Sequence, residues 1–308
     1  MKTCFIFTVL LFFYLSTFAQ QKNLAEKLGY PKDAKLLIIH ADDAGVCHSA
    51  DSAIMLAYQK GVITSASIMV PCPWFTEIAA FAKSHPEMDW GIHLVLTAEW
   101  KNYKWRGVSP EANPSLLDKN GYFYAANIGV AANANLKEAE KELRAQIEKA
   151  KAYGIKLTHI DTHMGSVLAS ADIMKMYQRL GKEYGLVALV PPAYLKMLAP
   201  KLISSVDTTG ILVDNFIMAY NMTTADRWKD FYNYNLQRLK PGLNELVFHL
   251  GFDNDELRAV TTGQTDYGSA WRQQDYDYAT SPEFKTQLKQ QGIYLVSWGE
   301  IQKVAYGQ

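Results

Sequence analysis

Apolar positions along the chain switch repeatedly between the period of a buried strand and that of an amphipathic helix. Ala34 to His40 is a continuous apolar run of strand type, and Ser52 to Lys60 then carries helical spacing at Ile54, Leu56 and Ala57. Val62 to Val70 is β-branched and alternating up to Pro71. Phe75 to Ala82 reads as a helix and Trp90 to Leu96 as a strand. After a stretch without a sustained period, Leu136 to Tyr153 restores a helix whose Glu and Lys mark a solvated face. Further strands are expected at Lys156–Ile160, Leu186–Val190, Ile211–Phe216, Leu246–Leu250 and Tyr294–Ser297. Helices are expected at Ile173–Tyr184, Thr224–Leu239 and Pro282–Gln291. Seven or eight strand–helix units predict an α/β fold, a single-domain, TIM-barrel-like but distorted (β/α) barrel of mainly parallel strands.

The aperiodic stretch, Lys101 to Ala126, is rich in Trp, Tyr, Pro, Asn and Gly and is expected to lie over the active face, since loops of that length in compact domains usually carry function. Residues 1–19 read as a signal peptide: Lys2 supplies the positive start, Phe5 to Phe18 the apolar core, and Thr17–Phe18–Ala19 the small residues of a cleavage site. The apolar stretch falls short of the ~20 residues of a spanning helix. An exported chain, periplasmic or extracellular, with no stable membrane insertion, is the expectation. Residues 20–308, about 290 residues, then suffice for one barrel domain. Lys plus Arg and Asp plus Glu both number 31, so no net charge draws the protein to nucleic acid. Cys47 and Cys72 survive processing without framework spacing, and whether they pair is open.

Chemistry gathers where strands end. Asp42 and Asp43 stand side by side between the run Leu36–Ile39 and the turn Ala44–Gly45. Two bare carboxylates at the end of a buried strand need a cation or a shared proton. Capping of the following helix explains the pair equally well taken alone. His93 ends a second strand, and Thr158–His159–Ile160–Asp161–Thr162–His163 a third, where alternation places His159, Asp161 and His163 on one side as a ligand with its supporting shell. One Asp and two His suffice to hold a hydrolytic metal ion, and the second Asp remains for proton transfer.

Ile39–His40–Ala41–Asp42–Asp43–Ala44–Gly45, Gly91–Ile92–His93–Leu94–Val95–Leu96–Thr97 and Thr158 to His163, in this order, resemble the signatures of the YdjC-like carbohydrate deacetylases, which include the bacterial chitooligosaccharide deacetylases. Weaker likenesses at Gly61–Ser65, Pro114–Leu117, Glu245–His249 and Gly292–Ser297 extend the match over nearly the whole mature chain. The resemblance implies that Asp43, His93 and His163 ligate the metal, that Asp42 is the general base, and that His249 is the general acid or transition-state stabiliser. Three departures stand out. Leu250 follows His249 where relatives carry proline, Met164 and Gly165 replace further histidines after His163, and Asp51 replaces an amide residue. Arg272 with Asp275 resembles a late Arg and acidic pair of the family, which an ordinary salt bridge also explains.

The reading is thus a metal-dependent hydrolase that removes N-acetyl groups from an amino-sugar-containing oligosaccharide and releases acetate. Zinc suits the donor set, with magnesium as an alternative. Trp100 and Trp105 are candidate sugar platforms, with packing of the loop an equal explanation. A homodimer is compatible with the sequence. Two rival readings are a metal-independent glycosidase using Asp42 and Asp161 as paired carboxylates, and a secreted carbohydrate-binding protein without turnover. His40, His48 and His85 are read as packing or rim residues.

Overall fold

The computed structural model describes residues 22–220 and 223–307, so the expected leader lies outside the described residues. Eight strands form one parallel sheet: β1 (Lys35–Ala44), β2 (Ser65–Ile68), β3 (Trp90–Leu94), β4 (Leu157–Thr162), β5 (Val187–Ala188), β6 (Asn215–Met218), β7 (Gly242–Phe248) and β8 (Ile293–Leu295). Their spatial order is β5-β4-β3-β2-β1-β7-β6. β8 pairs with Lys35–Leu37 of β1, and β2 with the later residues His40–Ala44, so these two strands share one edge of β1 while β7 takes the other. The sheet curls into the expected distorted (β/α) barrel. Among the described residues the terminal strands β5 and β6 do not pair, and a single backbone bond, Val213 N–H to the Val190 carbonyl at 2.9 Å, joins the chain near them. This side of the barrel is an open seam.

The helices are α1 (Leu24–Lys27), α2 (His48–Gln59), α3 (Phe75–Ser84), α4 (Asn127–Asn133), α5 (Leu136–Ala152), α6 (Ala171–Tyr184), α7 (Pro192–Leu198), α8 (Trp228–Gln237), α9 (Asp255–Val260), α10 (Ser269–Ala279), α11 (Pro282–Gln290) and α12 (Trp298–Tyr306). Among the described residues no helix is long and apolar enough to cross a membrane. The sequence pattern missed α4, α7, α9, α10 and α12. In α10 the reason is visible: Arg272 and Asp275 are buried beside Trp271 and Tyr276, so polar residues occupy positions that a periodicity argument assigns to apolar ones.

Strand alternation divides β1 between two environments. Leu37, Ile39 and Ala41 join the large core under the helices, whereas Leu36 and Ile38 join a smaller cluster with Leu243, Val296 and Trp298. On this second face β1 continues with His40 and Asp42, and the neighbouring strands contribute Ser65 and Ser67, Gly91 and His93, His159 and Asp161, and Glu245. The barrel interior is therefore apolar at its amino end and grows polar towards the carboxyl ends of the strands. Gly91 is required by this packing, because a Cβ there would lie 2.2 Å from Nε2 of His159.

Candidate active site

β1 runs past the expected end at His40 to Ala44, and its register against β2 shifts between Ala41 and Ala44. Regular alternation would send Asp42 and Asp43 to opposite faces. The irregularity, with Asp43 in the left-handed region at φ +67°, instead lets both carboxylates line one cavity of about 610 Å³. Two other non-glycine residues with left-handed backbone, Met164 and Tyr267, line the same cavity. The turn after the acidic pair is fixed from α2: the Asp51 carboxyl accepts the Gly45 N–H. Burial pushes Asp51 well above the usual carboxylate range, with Glu77 and Glu256 adding to it and the Gly45 N–H opposing.

Asp43, His93 and His163 converge on one point. Asp43 Oδ1 lies 3.4 Å from His93 Nε2 and 3.2 Å from His163 Nδ1, and all three residues are buried. The far nitrogen of each imidazole is held by another carboxylate: His93 Nδ1 by Asp161 Oδ1 at 2.7 Å, and His163 Nε2 by Glu99 Oε2 at 2.9 Å. This arrangement orients a metal-ligating histidine and fixes which nitrogen faces inward. Asp43 Oδ1 finds no hydrogen-bond donor, while Oδ2 accepts from Arg272 at 2.6 Å. A buried, orphaned carboxylate oxygen facing two inward imidazole nitrogens is a donor set that fits a divalent ion.

Charge at the site points the same way. Burial works against ionisation of Asp43, but Arg272, His163 and His93 hold its carboxyl well below the usual range. Burial likewise opposes a charge on His163, yet Glu99 and Asp43 outweigh it and lift the imidazole to about 9. His93 rises by the same balance against Asp42 and Asp161. The field favours positive charge at this spot, on an imidazolium or on a cation.

Asp42 lies beside this triad. Its Oδ1 is 3.1 Å from His40 Nε2 and its Oδ2 is 3.7 Å from Nε2 of His249. His249 follows the last residue of β7 and packs its ring 4.6 Å from Tyr267, and burial pushes its imidazole down to about 4. Its backbone N–H donates to Asp275 Oδ2 at 2.9 Å, while Tyr232 and Trp228 donate to Oδ1. Asp275 thus anchors the loop bearing His249 and makes no salt bridge with Arg272, which pairs with Asp43 instead. Leu250, in the place of a proline, is fully buried, and His249 still reaches the cavity.

The remaining candidates separate by position. Asp161 supports His93 directly. His159 sits one layer deeper, its ring 5.2 Å from His40 and stacked at 5.5 Å on Trp298, and it borders the centre through His40 and Asp161. Trp100 is buried, lines the cavity and lies under the Arg272 guanidinium at 5.5 Å. Trp105 is buried behind His163 at 5.9 Å and donates to the Thr97 carbonyl. The expectation of a loop over the active face is corrected here: no residue of 101–126 lines the cavity. The loop packs against α5 instead, where Glu142 accepts the backbone N–H groups of Val108 and Ser109. Cys47 and Cys72 are separate buried thiols. Sequence reading missed Glu99 and the bridging role of His40. The second had a signal, because His40 stands two residues before Asp42 on one strand. Of the two carboxylates of the glycosidase reading, Asp161 has its oxygens 2.7 Å from His93 Nδ1 and 3.0 Å from His40 Nε2, a placement that serves the histidines.

A parallel barrel whose chemistry collects at the carboxyl ends of β1, β3, β4 and β7 is organised as a (β/α)-barrel enzyme. Comparison of the chain with known proteins gives the particular family. The YdjC-like protein model matches residues 36–290, and the chain belongs to that family. A carbohydrate deacetylase of Thermus thermophilus is 31% identical over 293 residues, covering 92% of this chain and 100% of the relative. Another carbohydrate deacetylase, from Geobacillus stearothermophilus, is 27% identical over 278 residues, covering 87% of this chain and 98% of the relative. Among solved structures, a "putative cellobiose-phosphate cleavage protein" of Enterococcus faecalis V583 superposes with a TM-score of 0.73 at 24% identity, covering 87% of this chain and 99% of that one. That likeness bears on the fold.

Proposed function

We propose that this protein is an exported, metal-dependent carbohydrate deacetylase that hydrolyses the N-acetyl group of an amino-sugar-containing oligosaccharide to acetate and a free amine. The observation that carries the reading is the convergence of Asp43, His93 and His163 on one point with Asp42 and His249 beside it. The family membership and the deacetylase relatives support it. Asp43, His93 and His163 would hold the ion, which when bound supplies Lewis acidity for the acyl oxygen and a water acidic enough to attack at neutral pH.

The chain's own groups move the protons. Asp42 Oδ2, on the side facing His249, takes a proton from the attacking water. His249 Nε2 stands 3.7 Å from that oxygen. It receives this proton at Nε2 and delivers it to the leaving nitrogen. Arg272 holds Asp43 in place, and Asp161 and Glu99 keep the two imidazoles turned inward. Acetate release from N-acetylated chitooligosaccharides, measured before and after chelation and after zinc or magnesium is restored, tests the reading. Turnover unaffected by chelation, in protein shown by metal analysis to be metal-free, would sink it.

A further inference from the structure

The cavity has two chemically different ends. Beside the Asp43 triad stand Glu99 and Arg272, and Asn127, Gln264 and Asp266 also belong to the lining, donors and acceptors suited to sugar hydroxyls. Its other end runs into the seam between β5 and β6, where Leu189, Leu195, Leu198, Phe216 and Met218 form the walls. Tyr177 at this end has its hydroxyl committed to the carbonyls of Ile160 and Leu189 at 2.8 and 3.1 Å. Tyr194, its ring tilted 4.8 Å from Phe216, brings a second hydroxyl, and Tyr267 donates its own to the Ala219 carbonyl at 3.1 Å. At the rim, Leu198 and Met164 are 56% and 46% exposed.

A pyranose ring carries several hydroxyls, and each one buried without a partner costs about 1–3 kcal/mol. An aliphatic group in the same place gains stability from every methylene withdrawn from water. The methyl of an acetyl group would leave most of such an arm unfilled. We infer that the seam arm binds an aliphatic substituent of the acylated amino-sugar substrate that extends beyond an acetyl methyl, carried either on the acyl group or as an aglycone. This rests on the deacetylase reading for the choice of scaffold, and on the seam's own side chains for the apolar group.

Two substrate series test it with the zinc-loaded protein: glucosamine N-acylated with acetyl, butanoyl and hexanoyl groups, and methyl, butyl and octyl glycosides of N-acetylglucosamine. A rise in kcat/KM of roughly fourfold per buried methylene is expected along one series, which identifies the source of the chain. Met218→Gln, which puts an amide in the arm at nearly constant length, should flatten that rise. Calorimetric affinities for the same compounds should follow the same order without depending on turnover. If the acetyl compounds are hydrolysed and both series stay flat or fall, the apolar arm is refuted and the deacetylase reading stands. If nothing is hydrolysed, the deacetylase reading fails, and calorimetry alone decides: tighter binding of the longer compounds upholds the arm, and equal affinities overturn it.

Discussion

The two sides of this barrel are built on different principles. Across β1, β2, β3 and β4, interior polar groups are locked to one another from strand to strand: Ser65 and Ser67 to His40, His40 to Asp42 and Asp161, and Asp161 to His93. Among the described residues the seam between the two-residue β5 and the four-residue β6 has no such ladder, and its walls are apolar side chains on helices and short strands that range from buried Leu195 to exposed Leu198. A buried polar network is costly unless every member is satisfied, so it demands a rigid, fully paired sheet. Apolar walls impose no such geometry. Fixed chemistry and adaptable substrate contact can therefore coexist in one cavity.

The largest expected effect lies on the locked side. Asp42→Asn keeps size and polarity but cannot accept a proton, so kcat should fall by roughly 10²- to 10⁴-fold while the zinc content of the purified protein stays unchanged. Loss of the ion with the activity would exchange the roles of Asp42 and Asp43. Next, Asp161→Asn should weaken metal affinity about 10- to 100-fold in competition with a chromophoric chelator, since it loosens the orientation of His93. Affinity equal to wild type would show that the inter-strand lock does not serve the centre.

The contrast also has a mechanical form. Ile92→Ala, on β3 with no exposed surface, should cost about 2–5 kcal/mol in denaturant unfolding. Leu189→Ala, half-buried in the seam, should cost less than half of that, because the open cavity already borders the side chain. Equal losses would erase the distinction between the two sides.

The smallest effect is a pH dependence of stability below the catalytic layer. Burial, with Asp161 and Asp42 adding to it and His40 opposing, pushes Glu245 up to about 8. A free glutamate titrates near 4.3. Between these values the folded protein keeps a proton that the unfolded chain has released, so this contribution is complete below pH ~4.3 and lost as pH rises through about 8. Glu245→Gln mimics the protonated form, and the fall in Tm of the variant between pH 6 and pH 9 should be smaller than that of the wild type. An identical fall would place the titrating group elsewhere.

The motifs at Asp42–Asp43, His93 and His159–His163 were readable because strand ends carry their chemistry in contiguous residues, and the strand–helix alternation announced a parallel barrel because its period switches are local. The family followed from the order of those motifs and is shown by the match over residues 36–290. Long-range pairing was not readable. That Arg272 crosses from α10 to Asp43, that Glu99 faces His163, and that Asp275 anchors His249 depend on contacts spanning 229, 64 and 26 residues. The loop after His93 looked like a substrate platform from its aromatic content, yet the same rings bury apolar area against one another and behind His163 just as well. Local sequence thus determined which groups could react, because residue identity and strand period are properties of neighbours. The closure of the sheet decided which groups meet and left a seam at β5 and β6, because strand pairing and burial are settled only when distant segments compete for the same edges and the same interior.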